Sequence, residues 1–569
     1  MISLVRYIFI TCFSLLLFTD LIIAQDSSVS VAERFIEERG EVILEFNRPG
    51  MDLLNEISRI ISVDYVSEDI VRAYASYSGF LKFLELGLVF TVLDPPGFDS
   101  RSPETKLYSD PGFFEKYPDY DEYDSIMQTF AQNYPSLCVL DTFGYSEQGR
   151  MLLVVKLSDN ATSDEAEPEF FYTSSMHGDE TLGFILMLRL IDYFLSNYGT
   201  DSRTSNLLDG IELWINPLAN PDGFYRTAGR TRYNANGVDL NRNFPDPRVG
   251  ANPDGNDYQA ETLAMMQFME SRNFVMSANF HSGAEVVNYP WDTWSTRHAD
   301  DDWFQFISHE YADTVQDYST GYMTGFNDGI TNGFDWYMIT GGRQDYVTYY
   351  LQGRETTIEL DNDHYTPESQ LNDFWEYNYR SLLNYAYQAS YGIQGVVTDS
   401  VTGLPLEAMI ELVGHDFDSS MVFSESGNGL YVRLLNEGSY ELTFTSEGYY
   451  DRIISGVGVV NYQTTILDVK LVPSGTLVSP IDEAISLEIF PNPVSTELQF
   501  RFSISSLETL GFVIYNIMGQ QLLRISQKEY VMGQHTLSSN ISNLPVGIFF
   551  LEVQGAGFTI RKKFVKSNH

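Results

Sequence analysis

The chain has 569 residues, with 34 Lys and Arg against 78 Asp and Glu, for a net charge of −44. That acidic balance argues against a nucleic-acid partner, and a length of this order calls for three or four domains. Only two cysteines occur, Cys12 and Cys138, which excludes a structural zinc site built from cysteines.

Residues 1–24 read as a signal peptide. Arg6 supplies the positive charge, Tyr7 to Ile23 is mostly apolar, and Ala24 is a small residue before Gln25. The run is broken by Thr19 and Asp20 and is short for a membrane span. The mature chain is therefore expected to be soluble and exported, with no transmembrane segment. Removal of Cys12 leaves Cys138 alone, so an intramolecular disulfide is excluded and stability must come from the core.

Residues 25–104 read as a small α+β domain. Glu41–Phe46, Ile70–Tyr77 and Leu88–Leu93 are strand-like, and helical spacing runs over Met51–Ile61 and Gly79–Leu86. Pro95-Pro96-Gly97 ends it. A unit in this place is either a prosegment or a permanent N-terminal domain.

From residue 105 to 391, strands alternate with long helices, which predicts an α/β domain with a mixed, largely parallel central sheet. The expected strands are Leu152–Leu157, Phe170–Thr173, Ile211–Ile215, Val275–Phe280 and Thr356–Glu359, and a long helix follows over Thr181–Asn197. His177 lies just beyond its strand, and His281 and Glu359 close theirs. Open α/β sheets bind ligands at the carboxyl ends of strands, so these three are expected to converge.

The stretch YTSSMHGDE sets His177 and Glu180 three residues apart, and His281 follows 101 residues later. Two imidazoles and a carboxylate in this short-then-long spacing form the ligand set of a catalytic zinc that keeps one position for water. Taken singly, His177 and Glu180 would also suit an ordinary loop, and His281 a strand end. Glu359, in RETTIEL, is placed to take a proton from that water and pass it to a leaving amine. The segment Asn216–Phe244 is rich in Asn, Arg and Gly. Arg242 beside Asn241 suits a free C-terminal carboxylate, which a guanidinium grips in two-pronged fashion. Arg232 suits a developing oxyanion. A plain hydrogen-bonded turn network is the other reading of this stretch.

After Gly392 short alternating runs appear, at Gln394–Thr398, Met409–Val413, Gly429–Leu434 and Tyr440–Thr445, and predict a β-domain over 392–473. A second β-domain is expected over 474–569, with strands near Phe512–Asn516, Gly547–Val553 and Phe558–Val565.

HGDE, GVDLNRNFPD, FHSGAEVVNYPWD, GITNGFDWY, GGRQDY and TIEL, in this order, resemble the zinc metallocarboxypeptidases, and more narrowly their regulatory (N/E) type, over about Tyr117–Pro473. The resemblance implies one Zn2+ per catalytic domain, held by His177, Glu180 and His281, with Glu359 as general base and Asp239 orienting the first zinc histidine. It implies that Arg150 helps hold substrate, that Arg232 faces the polarised carbonyl, and that Asn241 and Arg242 anchor the C-terminal carboxylate. Asn288, Asp292 and Gln344 match positions that favour a basic terminal side chain. Counting from Asp345 to Glu359 puts the family's mobile tyrosine at Thr348; Tyr349, one residue on, is the candidate for the role. Residues 392–473 resemble the transthyretin-like domain of these enzymes, and FPNPVSTELQF, VIYNIMGQQL and LPVGIFFLEV resemble a type IX secretion sorting domain.

The expected function is that of a secreted or surface-attached carboxypeptidase, exported through the periplasm and outer membrane. Its expected partners are peptide or protein C-termini and the outer-membrane secretion machinery, with Lys or Arg as the expected product. The alternatives are a catalytically silent surface-binding or adhesion protein on the same fold, and a carboxypeptidase of cell-wall peptides.

Overall fold

The computed structural model describes residues 28–95, 113–474, 485–504, 507–517, 520–555 and 558–567. The signal peptide and the domain boundary at 104 lie outside these residues. The chain forms two compact units, residues 1–473 and 474–569.

The first unit opens with a four-stranded antiparallel sheet in the order β2-β3-β1-β4, formed by β1 (Glu41–Asn47), β2 (Ser62–Val66), β3 (Ile70–Ser76) and β4 (Phe90–Leu93). Helices over 28–39, Met51–Ile57 and Tyr77–Glu85 accompany it. The first helix and β2 were not expected. Five residues of β2, SVDYV, are too few to register as a periodic run, and Asp64 in its middle interrupts the apolar pattern.

Residues 113–391 are built on eight strands: β5 (Cys138–Tyr145), β6 (Met151–Leu157), β7 (Glu169–Ser174), β8 (Glu212–Asn216), β9 (Phe274–His281), β10 (Ala284–Tyr289), β11 (Ile330–Asn332) and β12 (Arg354–Asp361). Their order is β11-β10-β12-β9-β7-β8-β6-β5. The central neighbours β12, β9, β7 and β8 run parallel, and antiparallel pairs flank them. All five expected strands are present. Central parallel strands are covered on both faces, which is why β7 reads as EFFYTS with every residue buried. The helix Leu182–Asn197 behind it is apolar all round, with twelve of its sixteen residues buried. Helix Tyr120–Asn133 starts at a capping box in which Asp119 and Glu122 satisfy each other's backbone N–H.

Residues 392–471 add two small sheets around a core of Ile393, Val397, Ile410, Tyr431, Leu442 and Phe444. The unit from 474 onward holds a three-stranded and a four-stranded antiparallel sheet around Phe500, Phe502, Phe512, Leu551 and Phe564. No helix among the described residues is long and apolar enough to cross a membrane.

Candidate active site

His177 and Glu180 stand in the turn between β7 and the buried helix, and His281 closes β9. His177 Nδ1 lies 2.6 Å from Glu180 Oε1, His281 Nδ1 lies 2.8 Å from Glu180 Oε2, and the two Nδ1 atoms are 3.1 Å apart. All three residues are buried and offer ligand atoms within 4.8 Å of one another. Two inward-facing imidazole nitrogens this close cannot both carry protons. They fit a cation placed between them, so the donor set suits zinc. The far nitrogens are held: His177 Nε2 is 3.0 Å from Asp239 Oδ1, and His281 Nε2 is 2.7 Å from the Asn279 amide. The Asp239 carboxylate accepts the His177 Nε2 proton and so fixes that ring with the free lone pair of Nδ1 toward a metal. Burial raises the Glu180 carboxyl, but His177 and His281 outweigh it and hold it well below the ordinary range.

Glu359 is the direct Cα partner of His281 across the parallel pair β12–β9, so both side chains emerge on one face. Burial, with Glu180 and Asp64 adding repulsion, raises its carboxyl well above the ordinary value, which suits a group that must accept and release a proton.

Arg232 is buried at 3% exposure. Its Nη1 donates to Asp64 Oδ1 at 2.9 Å and to Glu180 Oε1 at 3.2 Å, and its Nε donates to Asp239 Oδ2 at 3.1 Å. Asp239 is the N-cap of the short turn Leu240–Arg242 and accepts from Asn241 N, so the same carboxylate sets His177, Arg232 and the following Asn-Arg pair. Arg242 donates to the Asn241 and Val63 carbonyls, and its Nε, although buried, has no hydrogen-bond partner among the described residues.

Asp292 anchors a second, adjoining cluster. Its Oδ1 accepts from Asn288 Nδ2 and Gln344 Nε2, both at 3.0 Å, and Gln344 Oε1 accepts from Thr357 N. Asp345 accepts from the backbone N–H groups of Asp292 and Thr293 and holds that turn in place. Burial pushes the Asp292 carboxyl up to about 6, against the pull of Asn288 and Arg242. A side chain at Gly333 would put its Cβ 1.7 Å from Asp292 Oδ1, so only glycine leaves room for that carboxylate.

One expectation needs correction. Tyr349 packs edge-on against Trp294 and Trp291, and Thr348 is fully buried. Tyr337 is instead the tyrosine whose hydroxyl lies in the field of Arg242, Asp64, Glu359 and Arg232, with burial the leading cause of its raised pKa. Counting from Asp345 selected a helix residue, whereas Tyr337 sits in the extended segment after the turn Gly333–Trp336. Arg150 donates to Asp222 Oδ1 at 2.5 Å and lies over the Tyr120 ring. Sequence reasoning also missed Asp64, Asp179 and His364, which border the site. Asp64 Oδ2 is 3.0 Å from His364 Nε2.

Comparison with known proteins gives the family. The family pattern "Zinc carboxypeptidase" matches residues 123–381, and "Secretion system C-terminal sorting domain" matches 488–567. The chain is 37% identical over 356 residues to carboxypeptidase M of Mus musculus, covering 59% of this chain and 79% of that one. It is 34% identical over 413 residues to the carboxypeptidase N catalytic chain of Homo sapiens, covering 64% and 88%. The 36% identity to carboxypeptidase D of Homo sapiens covers 58% of this chain but only 25% of that longer one. The chain therefore belongs to the zinc carboxypeptidase family: it is a metallocarboxypeptidase with regulatory-type relatives, and it carries a type IX secretion sorting domain.

Proposed function

We propose that this enzyme is exported and removes single Lys or Arg residues from the C-termini of peptides. Zinc held by His177, Glu180 and His281 would acidify a water and polarise a carbonyl. Glu359 takes the proton of the attacking water and hands it to the departing amine. Arg232 donates to the oxygen that gains charge. Arg242, whose buried Nε has no partner among the described residues, receives the terminal carboxylate beside Asn241 and so restricts cleavage to the last bond. Tyr337, among Arg242, Arg232 and Glu359, closes the site over the last residue.

The observation that carries the basic specificity is Asp292, a buried carboxylate fixed by Asn288 and Gln344 and in no ion pair with a cationic side chain among the described residues. A guanidinium or ammonium compensates such a charge, whereas an apolar or acidic side chain does not. The sorting domain and the expected signal peptide support a two-step export route.

Residue release from blocked peptides ending in Arg, Lys, Phe or Glu tests this reading, with and without a zinc chelator and with Glu359→Gln as control. Chelator-sensitive release of Arg and Lys is expected. Preferential release of Phe would keep the activity and remove the role given to Asp292.

A further inference from the structure

Helix Arg343–Tyr350 begins where the Asp292 cluster and the Asn241 turn meet, and its first three residues hold both. The backbone N–H of Arg343 donates to Asn241 Oδ1 at 2.9 Å. Gln344 bridges Asp292 Oδ1 and Thr357 N, and Asp345 accepts from the N–H groups of Asp292 and Thr293. One helix end therefore sets two anchors: Asn241, beside Arg242, for a terminal carboxylate, and Asp292 for the side chain of the same residue.

A buried ion pair ties that helix end to the sheet. Arg343 Nη2 donates to Glu355 Oε2 at 2.8 Å, with neither side chain exposed, and the Ser277 hydroxyl on β9 donates to the same oxygen at 2.7 Å. The guanidinium lies over the Phe171 ring of β7, 5.0 Å from its centroid. Glu355 shares a face of β12 with Thr357 and Glu359. The pair thus joins the helix to β12, β9 and β7, on the strand that carries the general base.

As a source of stability this pair is poor. Arg343 Nε and Nη1 and Glu355 Oε1 are buried without hydrogen-bond partners among the described residues. An apolar pair of like size often does as well as a buried ion pair, and a half-satisfied one offsets its desolvation least. A directed charge pair supplies what an apolar contact does not, a fixed direction and a fixed charge. The direction sets where Asn241 and Gln344 stand. The charge acts on Asp292, which is faced by Arg242, Glu355, Asp246 and Asp345. Burial leads in raising the Asp292 carboxyl to about 6, and Glu355 adds to it.

We propose that Arg343 and Glu355 are a positioning pair for terminal-residue specificity, holding Asn241 and Asp292 in the fixed relation that lets one basic residue meet both. Neither touches the substrate. This rests on the roles given above to Asn241 and Asp292.

The full zinc-loaded chain is compared with Glu355→Gln, Arg343→Lys and the double variant Arg343→Met with Glu355→Gln, which removes both charges and leaves none unpaired. kcat and KM are measured on the blocked peptides ending in Arg and Phe, across the limb near pH 6. Amide hydrogen exchange is mapped over residues 292–293 and 343–345. In the double variant KM for the Arg peptide is expected to rise roughly tenfold with kcat changed less than about threefold, and the preference for Arg over Phe to fall accordingly. Its limb should stay in place, because the two charges leave together. In Glu355→Gln the limb should move to lower pH, since a negative neighbour of Asp292 is gone and the Arg343 cation remains. Arg343→Lys keeps the charge, and its KM should stay within about threefold of the native value. Exchange at the mapped amides should be roughly tenfold faster in the double variant, with Ile358 and Leu360 unchanged. An Arg-peptide KM within about twofold of native in the double variant overturns the positioning role, and so does an equal loss on the Arg and Phe peptides, which marks general damage. If the double variant does not fold, a limb that stays put in Glu355→Gln overturns it. If the native chain shows no preference for basic ends, the reading of Asp292 falls by itself; the pair is then judged by exchange, where faster rates support positioning and unchanged rates overturn it.

Discussion

Arg433 donates to both carboxylate oxygens of Asp300, at 2.7 and 2.8 Å, with both side chains buried. Asp300 precedes the helix Asp301–Tyr318 of the catalytic region, whereas Arg433 ends a strand of the following β-domain, and Arg354 at the start of β12 donates to the same carboxylate. One acid with two guanidiniums thus rivets the β-domain to the sheet that carries Glu359. Asp300→Ala leaves two buried cations without their anion and is expected to destabilise the first unit by about 3–5 kcal/mol, read from chemical denaturation. Burial raises the Asp300 carboxyl, but Arg433 and Arg354 outweigh it and hold it far below the ordinary range. Asp416, pulled down to about 2 against burial by His415 and Arg433, acts in the same direction. Both folded-state values lie below the unfolded ones. Their stabilisation is therefore complete above pH ~4 and lost as pH falls toward 2.

Glu359→Gln keeps the size of the side chain and removes the proton acceptor. The expected outcome is a fall in kcat of roughly 10²–10⁴-fold. Zinc content measured by atomic absorption should stay unchanged, because Glu359 is not one of the three ligands.

Asp292 gives the Arg and Lys substrates a pH dependence of defined sign. Its carboxyl titrates near 6 and attracts a cation only when ionised. kcat/KM for an Arg-ending peptide should therefore rise as pH increases through about 6, with the change mostly in KM. Asp292→Asn should flatten that limb and lower kcat/KM for Arg by at least tenfold. A limb that survives in Asp292→Asn would belong to another group.

Asp239→Ala removes the acceptor on His177 Nε2 together with the partner of Arg232 Nε. Zinc affinity in a competitive chelator titration is expected to fall about 10–100-fold, the usual effect of deleting a partner of a metal-bound histidine.

The two tyrosines separate cleanly. Tyr337→Phe is expected to lower kcat/KM on short peptides several-fold, because its hydroxyl lies among Arg242, Glu359 and Arg232. Tyr349→Phe should leave kcat/KM within about twofold, since that ring packs on Trp291 and Trp294.

Much of this site was legible because its residues close strands with strong apolar signatures. His281 and Glu359 could be placed at one sheet edge from Val275–Phe280 and Thr356–Glu359 alone, and β9 and β12 are indeed hydrogen-bonded neighbours. What stayed hidden is of a different physical kind. Asp64 reaches the site through a five-residue strand in another domain, 168 positions from Arg232, and no local pattern encodes that contact. Tyr337 sits in an irregular segment, where counting residues does not report distance. The small strands at 452–459 and 464–466 were missed because glycines and exposed residues break their alternation.

The pairing of Glu359 with His281 also carries a constraint on chain length. Side chains alternate faces along β12, so a slip of one residue would swing Glu359 away and turn the apolar Ile358 or Leu360 toward the metal. Strand β12 is gripped on both sides, by β9 and by β10, so such a slip cannot be absorbed locally. A single inserted or deleted codon between Arg354 and Glu359 would thus extinguish turnover as completely as loss of the glutamate. The surface loops, which fix no register, have room to vary in length.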